Sequence, residues 1–334
     1  MSLRIRVIEH EDDVLRYHAV EDRCTPFDHP GFDAEPPEAT LAAFRRPATI
    51  EKVTWLLAED GDELVGASVL ALPLVDNLDN AWGLVHVLPE HRRRGHGRAI
   101  AEHLLELART EGRRRLVSVV GAPLGVDAPG TPLARGLGGE AALVHLRRRL
   151  DLTTVDDAML DALRLDQVGA RADGYEVVEW VDEVPSALVA DAARMMAAMS
   201  TDQPLGDLEW QPESWDDARY REGESEAKAR GFRRVAAGAV ETSTGRMVAY
   251  TDIGVAVSRP TLARQWDTIV DGAHRGHRLG LLVKAANLAH LRRVSPTSTG
   301  IATSNAASNA HMVAINDLLG FVPVEETTTW QFSL

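Results

Sequence analysis

The strongest constraint on the fold is an internal repeat. The segment HRRRGHG at residues 91–97 resembles HRGHRLG at residues 274–280, a displacement of 183 residues. Flanking apolar and glycine positions repeat at displacements of 183 and 182 residues: Leu64-Val65-Gly66 with Met247-Val248-Ala249, and Leu137-Gly138 with Leu319-Gly320. Because these landmarks keep a nearly constant spacing, we interpret the chain as two copies of one domain.

The length of the chain agrees with two domains. Its 334 residues are 45% hydrophobic, which is enough for two ordinary cores. We expect an N-terminal domain at 1–150, a connector at 151–172 and a C-terminal domain at 173–334. The connector has Thr154 as its expected N-cap, followed by apolar residues at helical spacing: Val155, Met159, Leu160 and Leu163. It lacks the Gly, Ser or Pro richness of a flexible tether, so we expect a packed helix.

Charge and cysteine usage exclude several classes of protein. Fifty acidic against 36 basic side chains give a net charge of -14, which disfavours general binding to nucleic acid. The single Cys24 cannot form an intrachain disulfide. No apolar run approaches the roughly 18 residues of a membrane span. We therefore expect a soluble cytoplasmic protein, a monomer or homodimer, that binds neither nucleic acid nor membrane.

Each copy has the same order of predicted elements, namely strand, loop, helix and strand. In the first copy, a hairpin signal at Gly61-Asp62 precedes the strand 81–88, a helix with apolar residues from Ile100 to Ala108, and the strand 116–120. The second copy has the strand 268–270, a helix with an apolar face from Leu281 to Ala289, and the strand 301–303. The motif between the first strand and the helix is therefore a strand-to-helix loop in both copies.

This loop favours binding of a phosphate group. A strand-to-helix loop of the form Arg-x-x-Gly-x-Gly brings backbone N–H groups and a helix N-terminus to one point, and Arg92–Gly97 has this form. Its glycines allow close approach of the backbone, and its arginines supply positive charge in an acidic protein. A small molecule with a diphosphate fits better than a nucleic acid. The alternative is a solvated turn, which the repeated strand and helix context disfavours.

At these residues the sequence resembles a known family. The segment VHVLPEHRRRGHGRAIAEHLLELA resembles motif A of the GNAT N-acetyltransferase superfamily, in which V-x-V-x-P-x-x-R-x-x-G-x-G cradles the pyrophosphate of acetyl-coenzyme A. The segments TIVDGAHRGHRLGLLVKAANLAHL and IATSNAASNAHMVAINDLLGF resemble motifs A and B of the same superfamily. The whole chain is thus similar to tandem GNAT proteins, a class that includes actinobacterial acetyltransferases.

The resemblance implies an α/β fold with two GNAT domains in tandem. Each would have a mixed, mostly antiparallel sheet flanked by helices, with a splayed central pair of strands and the thioester in the opening. Acetyl would pass directly from acetyl-coenzyme A to an amine, without an acyl-enzyme.

The motif also implies the coenzyme-binding residues. In the first copy, main-chain groups for the pantetheine arm and the residues of the diphosphate loop would be Val85, Val87, Arg92, Arg93, Arg94, Gly95, Gly97 and Arg98. The matching positions of the second copy are Ile269, Val270, Arg275, Gly276, His277 and Gly280. Arg278 stands where the first glycine of the pattern belongs, so it either blocks close approach of the backbone or adds a cation to a usable loop.

The motif B region differs between the copies. Asn309 matches the family asparagine at the start of the motif B helix, whereas the first copy has only the shorter APGTPLARGLGG. Each copy is complete where the other is weak, so the sequence leaves open which one is catalytic.

Acid and base candidates are few. The tyrosine that many GNAT enzymes place before the end of motif B is replaced by Ala134 and Asn316, and Tyr250 is the remaining tyrosine that we expect to face the cleft. Asp267, on the strand that enters motif A, is the candidate base. Its alternative is a residue of the strand edge that pairs with an arginine or caps a turn.

The first copy offers two weaker base candidates. These are Asp79 and His86, of which a histidine between valines is more often a core residue. The segment 202–226, with many carboxylates and with Trp210 and Trp215, either attracts a cationic amine or forms solvated helix faces. The segment 24–40 is its equivalent in the first copy.

These features predict an acyltransferase that moves acetyl from acetyl-coenzyme A to a primary amine of a small molecule. Two alternatives stay open: a non-catalytic acyl-coenzyme A sensor, suggested by the missing tyrosines, and a protein N-acetyltransferase. The histidines of both loops sit among arginines, which is a poor setting for a cation, so we expect no metal.

Overall fold

The chain folds into two compact units that do not coincide with the two halves of the sequence. The structure is a computed structural model and describes residues 3–334. Unit 1 consists of the chain up to Leu146 together with Leu205–Gln211 and Val324–Leu334. Unit 2 consists of Arg147–Pro204 and Pro212–Pro323. The expected boundary at residue 150 is close to the first crossing, but the expected connector 151–172 lies inside unit 2.

The described strands and helices follow the chain in this order. The first copy forms β1 (Leu3–Val7), α1 (Glu11–Asp28), α2 (Pro37–Arg45), β2 (Glu51–Asp60), β3 (Glu63–Pro73), β4 (Asn80–Val87), α3 (His96–Thr110), β5 (Arg115–Pro123), α4 (Thr131–Gly136) and β6 (Glu140–Asp151). After α5 (Asp157–Leu163), the second copy forms β7 (Tyr175–Val181), α6 (Val189–Asp202), α7 (Asp217–Ala229), β8 (Phe232–Glu241), β9 (Met247–Ala256), β10 (Leu262–Val270), α8 (Leu279–Val294), β11 (Gly300–Ala306), α9 (Ala310–Leu318) and β12 (Val322–Ser333).

The sheet of unit 1 is mixed and opens between two parallel strands. Strands β1 to β4 pair as an antiparallel series, and Gly61 makes the β2–β3 turn with a φ of 66°. The parallel β4–β5 pairing runs only from Asn80↔Arg115 to Trp82↔Val117, although β4 continues to Val87. The two strands therefore splay apart beyond Trp82.

The last strand of the chain forms part of this same sheet. Strand β12 pairs antiparallel with β5 from Glu325↔Pro123 to Ser333↔Arg115. The extreme C-terminus therefore belongs to unit 1, and the linear domain boundary expected from the repeat does not describe it. Strand pairing between residues about 200 positions apart leaves no local trace in the sequence pattern.

Unit 2 repeats the splayed arrangement. Strands β7, β8, β9 and β10 pair antiparallel in that order, and β10 pairs parallel with β11. That parallel pairing runs only from Leu262↔Gly300 to Arg264↔Ala302, whereas β10 continues to Val270. The splayed mixed sheet implied by the family resemblance is thus confirmed in both units.

Helix α8 is buried on nearly all sides, unlike its counterpart α3. On α3 only Ile100, Leu104, Leu105 and Ala108 are buried, as one face of a surface helix should be. On α8 the buried positions run almost without a break from Leu279 to Leu291, because connector residues such as Met159 and Leu163 pack against the same core. The connector helix is present as expected, but its N-cap is Asp156, which accepts the Met159 N–H at 2.7 Å, and not Thr154.

Among residues 3–334, no helix combines the length and the apolar character that a membrane crossing requires.

Candidate active site

The two strand-to-helix loops share one backbone conformation. Arg93 and Gly95 of the first loop have φ values of 64° and 93°, and Gly276 and Arg278 of the second have 90° and 60°. Each loop therefore places one arginine and one glycine in the left-handed region, in opposite order. Arg278 leaves the backbone path of the loop unchanged, so the departure from the glycine pattern does not alter the loop.

Both loops end at the N-terminus of a long helix. The carbonyl oxygen of Gly95 accepts the Ala99 N–H at 3.1 Å, and that of Arg278 accepts the Leu282 N–H at 3.1 Å. Glycine and arginine carry no side-chain acceptor, so the N–H groups of the first turn need acceptors from elsewhere. Together with the helix dipole, these donors can hold a phosphate group.

The glycines inside the first helical turn have a packing role. A Cβ atom at Gly97 or Gly280 would meet one valine from the preceding strand and one apolar residue from the motif B helix. Its neighbours would be Val87 (3.5 Å) and Leu133 (3.6 Å) for Gly97, and Val270 (3.6 Å) and Ile315 (3.1 Å) for Gly280. Glycine therefore allows close contact between helix and strand at both positions, and the matched neighbours support the repeat in three dimensions.

The first arginine of each loop is engaged by the protein itself. The Arg92 guanidinium binds Asp28 through two hydrogen bonds of 2.9 and 2.8 Å, and its Nε donates to the Val87 carbonyl at 2.9 Å. In unit 2, Arg275 binds Asp202 at 2.7 Å. Asp28 and Asp202 are the last residues of α1 and α6, so one ion pair fixes each loop to the first helix of its unit. The structure thus gives Arg92 and Arg275 a structural role in place of the predicted contact with phosphate.

Other predicted coenzyme residues remain at the loop surface. Arg93, Arg94 and Arg98 are exposed around the first loop. In the second loop, His277 is exposed, and its Nδ1 lies 2.9 Å from the Arg171 carbonyl oxygen. Unit 1 therefore has more cationic side chains at its loop than unit 2.

The strand residues predicted for the pantetheine arm lie beyond the point of divergence. Val85 and Val87 follow the last β4–β5 pair, and Ile269 and Val270 follow the last β10–β11 pair. The Val87 carbonyl is already occupied by Arg92. The remaining main-chain groups on the open edge of each strand are the ones that suit an amide-bearing ligand.

Unit 2 has a β-bulge inside its opening. The β10–β9 register passes from Gln265↔Ile253 to Thr268↔Thr251, so Trp266 and Asp267 together lie opposite Asp252. In unit 1 the register continues without a shift, and Leu84 pairs with Val69 at the corresponding place. A carboxylate therefore stands at the opening of unit 2, where unit 1 has a leucine.

Buried polar side chains hold the bulge from both directions. The Asp267 N–H donates to Asp252 Oδ1 at 2.8 Å, and Arg234 Nε donates to Asp252 Oδ2 at 2.5 Å. The Asp267 carbonyl accepts Thr251 Oγ1 at 2.9 Å and Gln265 Nε2 at 3.1 Å. Thr251 and Asp252 are fully buried. Sequence reasoning missed these partners, although polar residues within the otherwise apolar strands β8 and β9 were a usable signal.

The environment of Asp267 suits a proton acceptor near neutral pH. Burial raises the pKa of this carboxyl to about 7, the negative charge of Asp252 adds to the rise, and Arg234 opposes it. A base with a pKa near the working pH is the most effective in general catalysis.

Tyr250 does not face the opening as we expected. Its side chain is fully buried in the core, and its hydroxyl lies 2.7 Å from Met196 Sδ. Burial raises the pKa of this phenol well above its usual value. Tyr250 is therefore a core residue in this structure.

The weaker candidates of the first copy have structural surroundings. Burial lowers the pKa of His86 to about 4, and its Nε2 lies 3.8 Å from Glu21 Oε1. Asp79 lies 3.7 and 3.9 Å from the guanidinium groups of Arg114 and Arg115. These contacts favour a neutral core histidine and a surface ion pair.

The motif B helix of unit 2 begins at the predicted asparagine. Asn309 is the N-cap of α9, and its Oδ1 accepts the Met312 N–H at 3.1 Å. Asn316, at the family's tyrosine position, is fully buried and donates to Asn305 at 3.1 Å. Ala134 at the matching place of unit 1 is also buried. Neither position supplies a general acid.

The acidic segment 202–226 is mostly consumed by internal contacts. Glu224 is buried, accepts the Val184 N–H at 2.7 Å and binds Arg221 at 2.6 Å. Trp215 donates to Glu213 at 3.0 Å. These contacts correspond to the structural alternative for this segment and not to an acceptor-binding wall.

Comparisons with known proteins agree with this description. Residues 16–128 match the model of the acetyltransferase (GNAT) family. A tandem GNAT protein from the clavulanic acid biosynthesis pathway, solved without AcCoA, is 27% identical with a TM-score of 0.80, covering 99% of this chain and 98% of that one. A GCN5-related N-acetyltransferase from Sphaerobacter thermophilus is 13% identical with a TM-score of 0.66, covering 99% and 95% of the two chains. A search of curated proteins finds no match.

The chain is therefore a tandem GNAT protein by fold, and its first unit carries a domain of the acetyltransferase (GNAT) family. This fold supports acyl transfer from acyl-coenzyme A.

Proposed function

We propose that the protein is an N-acetyltransferase that transfers acetyl from acetyl-coenzyme A directly to a primary amine of a small molecule, with the chemistry in unit 2. The observation that carries the proposal is the bulge of β10. It puts the Asp267 carboxylate into the splayed opening, three residues beyond the last β10–β11 pair and three before the strand ends at Val270. The strand leads directly into the helix-terminal loop that can hold a diphosphate.

The reaction follows from this placement. The thioester lies in the opening, with its diphosphate at the N-terminus of α8. A protonated amine cannot attack, so Asp267 takes a proton from the amine as the C–N bond forms and the C–S bond breaks. The leaving group is a thiolate, whose moderate basicity makes departure feasible without the missing tyrosine.

Unit 1 binds the same coenzyme without transferring its acyl group. Its loop has the same conformation and carries the exposed Arg93, Arg94 and Arg98. Its opening has Leu84 where unit 2 has the bulge. A binding site without a proton acceptor fits a stabilising or sensing role for the first copy.

A second candidate function is a non-catalytic acyl-coenzyme A sensor. The burial of Tyr250, Asn316 and Ala134 favours it, because none of them can protonate the leaving group from the opening. A protein N-acetyltransferase is less well supported, since the acidic residues of segment 202–226 that could attract a basic peptide are engaged in internal ion pairs.

The test is coenzyme release over a panel of primary amines, followed with a thiol reagent. We expect turnover that depends on the acceptor, and a loss of at least about 100-fold in Asp267→Asn. Asp79→Asn is the matched control, because it removes a carboxylate from the surface of unit 1 and should leave turnover unchanged. Tight binding of acetyl-coenzyme A without turnover on any amine would instead support the sensor.

A further inference from the structure

We propose that Asp252 is a positioning residue of unit 2, which acts with Arg234 and Thr251 to fix the bulge of β10 and the place of the Asp267 carboxylate in the opening. This inference rests on the proposed role of Asp267 as the base.

The first argument is where the main-chain groups of Asp267 find their partners. In a regular strand they would join the ladder, but a bulge leaves the extra residue unpaired. Here the N–H donates to the Asp252 carboxylate at 2.8 Å, and the carbonyl accepts Thr251 Oγ1 and Gln265 Nε2. Because side chains bind both main-chain groups, the orientation of Asp267 is set by Asp252 and Thr251.

The second argument is the comparison with unit 1, which folds the same sheet without any of these polar groups. Across strands β2, β3 and β4, the register row of Trp55, Val69 and Leu84 matches the row of Ala236, Asp252 and the bulge. One alternate position earlier, Val53 stands in β2 where β8 has Arg234. The fold therefore does not require the buried charges.

Buried charges are costly, and replacing a buried ion pair by apolar residues is often neutral or stabilising. Arg234 is mostly buried, and its Nε lies 2.5 Å from Asp252 while its ring contact with Tyr220 is 5.1 Å. Glu224 of α7 lies 3.9 Å from the same guanidinium. A network that the fold does not need, placed directly behind the candidate base, is best explained by its effect on that base.

The electrostatic surroundings of Asp267 give the direction of the effect. The charged and titratable groups that face it are Asp252 and Tyr250 from β9, Arg234 from β8 and Tyr220 from α7. Asp252 is the negative charge among them, and it raises the pKa of Asp267, whereas Arg234 lowers it. Removing the charge of Asp252 therefore makes Asp267 a weaker base that loses its proton at lower pH.

The experiment compares the pH dependence of coenzyme release in wild type and in Asp252→Asn. The asparagine can still accept the Asp267 N–H, so the bulge keeps that hydrogen bond. We expect the acidic midpoint of kcat/KM to move down by about one pH unit, while the Kd for acetyl-coenzyme A stays within about twofold. Asp317→Asn is the matched control: it breaks the ion pair with the buried Arg148, away from the opening, and should leave the midpoint in place.

A second variant tests the geometric part. Thr251→Val keeps the shape of the side chain but removes the hydroxyl donor to Asp267. We expect kcat to fall about fivefold with an unchanged KM for acetyl-coenzyme A, as the loss of about one hydrogen bond predicts. This variant also carries the test if Asp252→Asn does not fold.

A direct titration separates this inference from the proposed function. In protein labelled with ¹³C at the aspartate carboxyls, Asp267 is assigned by comparison with Asp267→Asn, and its midpoint is compared between wild type and Asp252→Asn. A lowered midpoint supports the positioning role even if no amine is acetylated, in which case only the proposed function fails. An unchanged midpoint in folded Asp252→Asn, or unchanged kcat in Thr251→Val, overturns the positioning role even if the enzyme is active.

Discussion

Gly95 and Arg278 occupy the same position in their loops, each as the residue that precedes the helix and each in the left-handed region, with φ values of 93° and 60°. Glycine adopts this conformation at no steric cost, whereas an arginine pays for it. The second loop thus keeps its shape in spite of its sequence, because the strand before it and the helix after it determine the path.

We predict that Arg278→Gly stabilises unit 2 by up to about 1 kcal/mol. The gain comes from relief of the left-handed strain and is partly offset by the greater freedom of glycine in the unfolded chain. Chemical denaturation of the variant and the wild type measures it. Gly276→Ala is the opposite control, since it introduces a Cβ at a φ of 90° and should destabilise. A destabilised Arg278→Gly would show that the arginine side chain makes a compensating contact.

A negative charge in either loop should remove coenzyme from that unit alone. Gly95→Glu and Arg278→Glu each put a carboxylate beside the helix N-terminus, where it repels a diphosphate. A Cβ at Gly95 meets no atom within 4 Å, so the effect there is not a clash. We expect calorimetric stoichiometry to fall from two to one in each variant. Full stoichiometry in both would refute the assignment of the loops.

Replacing Asp267 by asparagine should stabilise the protein above neutral pH. The pKa of this carboxyl rises from 3.8 to about 7 on folding, so the folded state binds more protons than the unfolded state between these values. The resulting penalty is absent below pH 4 and complete above pH 7. We therefore expect Asp267→Asn to raise Tm by a few degrees at pH 8 and hardly at all at pH 4. A Tm difference that does not depend on pH would contradict the raised pKa.

Lys284 offers a parallel test in the core of unit 2. It is almost fully buried in α8, its Nζ lies 5.3 Å from the centre of the Phe321 ring, and burial lowers its pKa to about 7. Because the unfolded chain keeps this lysine protonated up to about its ordinary pKa of 10.5, its burial costs stability as the pH falls from 10.5 to 7. We expect Lys284→Met to raise Tm most at pH 7 or below. Lys228→Met, at an exposed position of α7, should have no such effect.

The local parts of this architecture were predictable from the sequence because local patterns determine them. The Gly61 hairpin, the amphipathic α3 and the two loops follow from turn residues and apolar periodicity, and Asn309 follows from a helix-start signal. The splayed strands came from the family resemblance, since no pattern of side chains marks where two parallel strands diverge.

The parts that sequence reasoning missed depend on partners far apart in the chain. Arg92 was expected at a phosphate, but Asp28 at the end of α1 holds it, and only the folded chain brings these two residues together. The bulge at Asp267 did leave a small trace. Trp82 and Arg264 end the two parallel pairings at a displacement of 182 residues, one fewer than the loops that follow, because unit 2 has one inserted residue between these points.

Strand β12 has a consequence for how the protein is made. Since Val324–Leu334 provide the neighbour of β5, the unit that is synthesised first cannot finish its sheet until translation has ended and the ribosome has released the C-terminus. A gene cut at the repeat boundary would thus yield an N-terminal product with an exposed strand edge, and duplication here has produced two copies that can no longer be inherited separately.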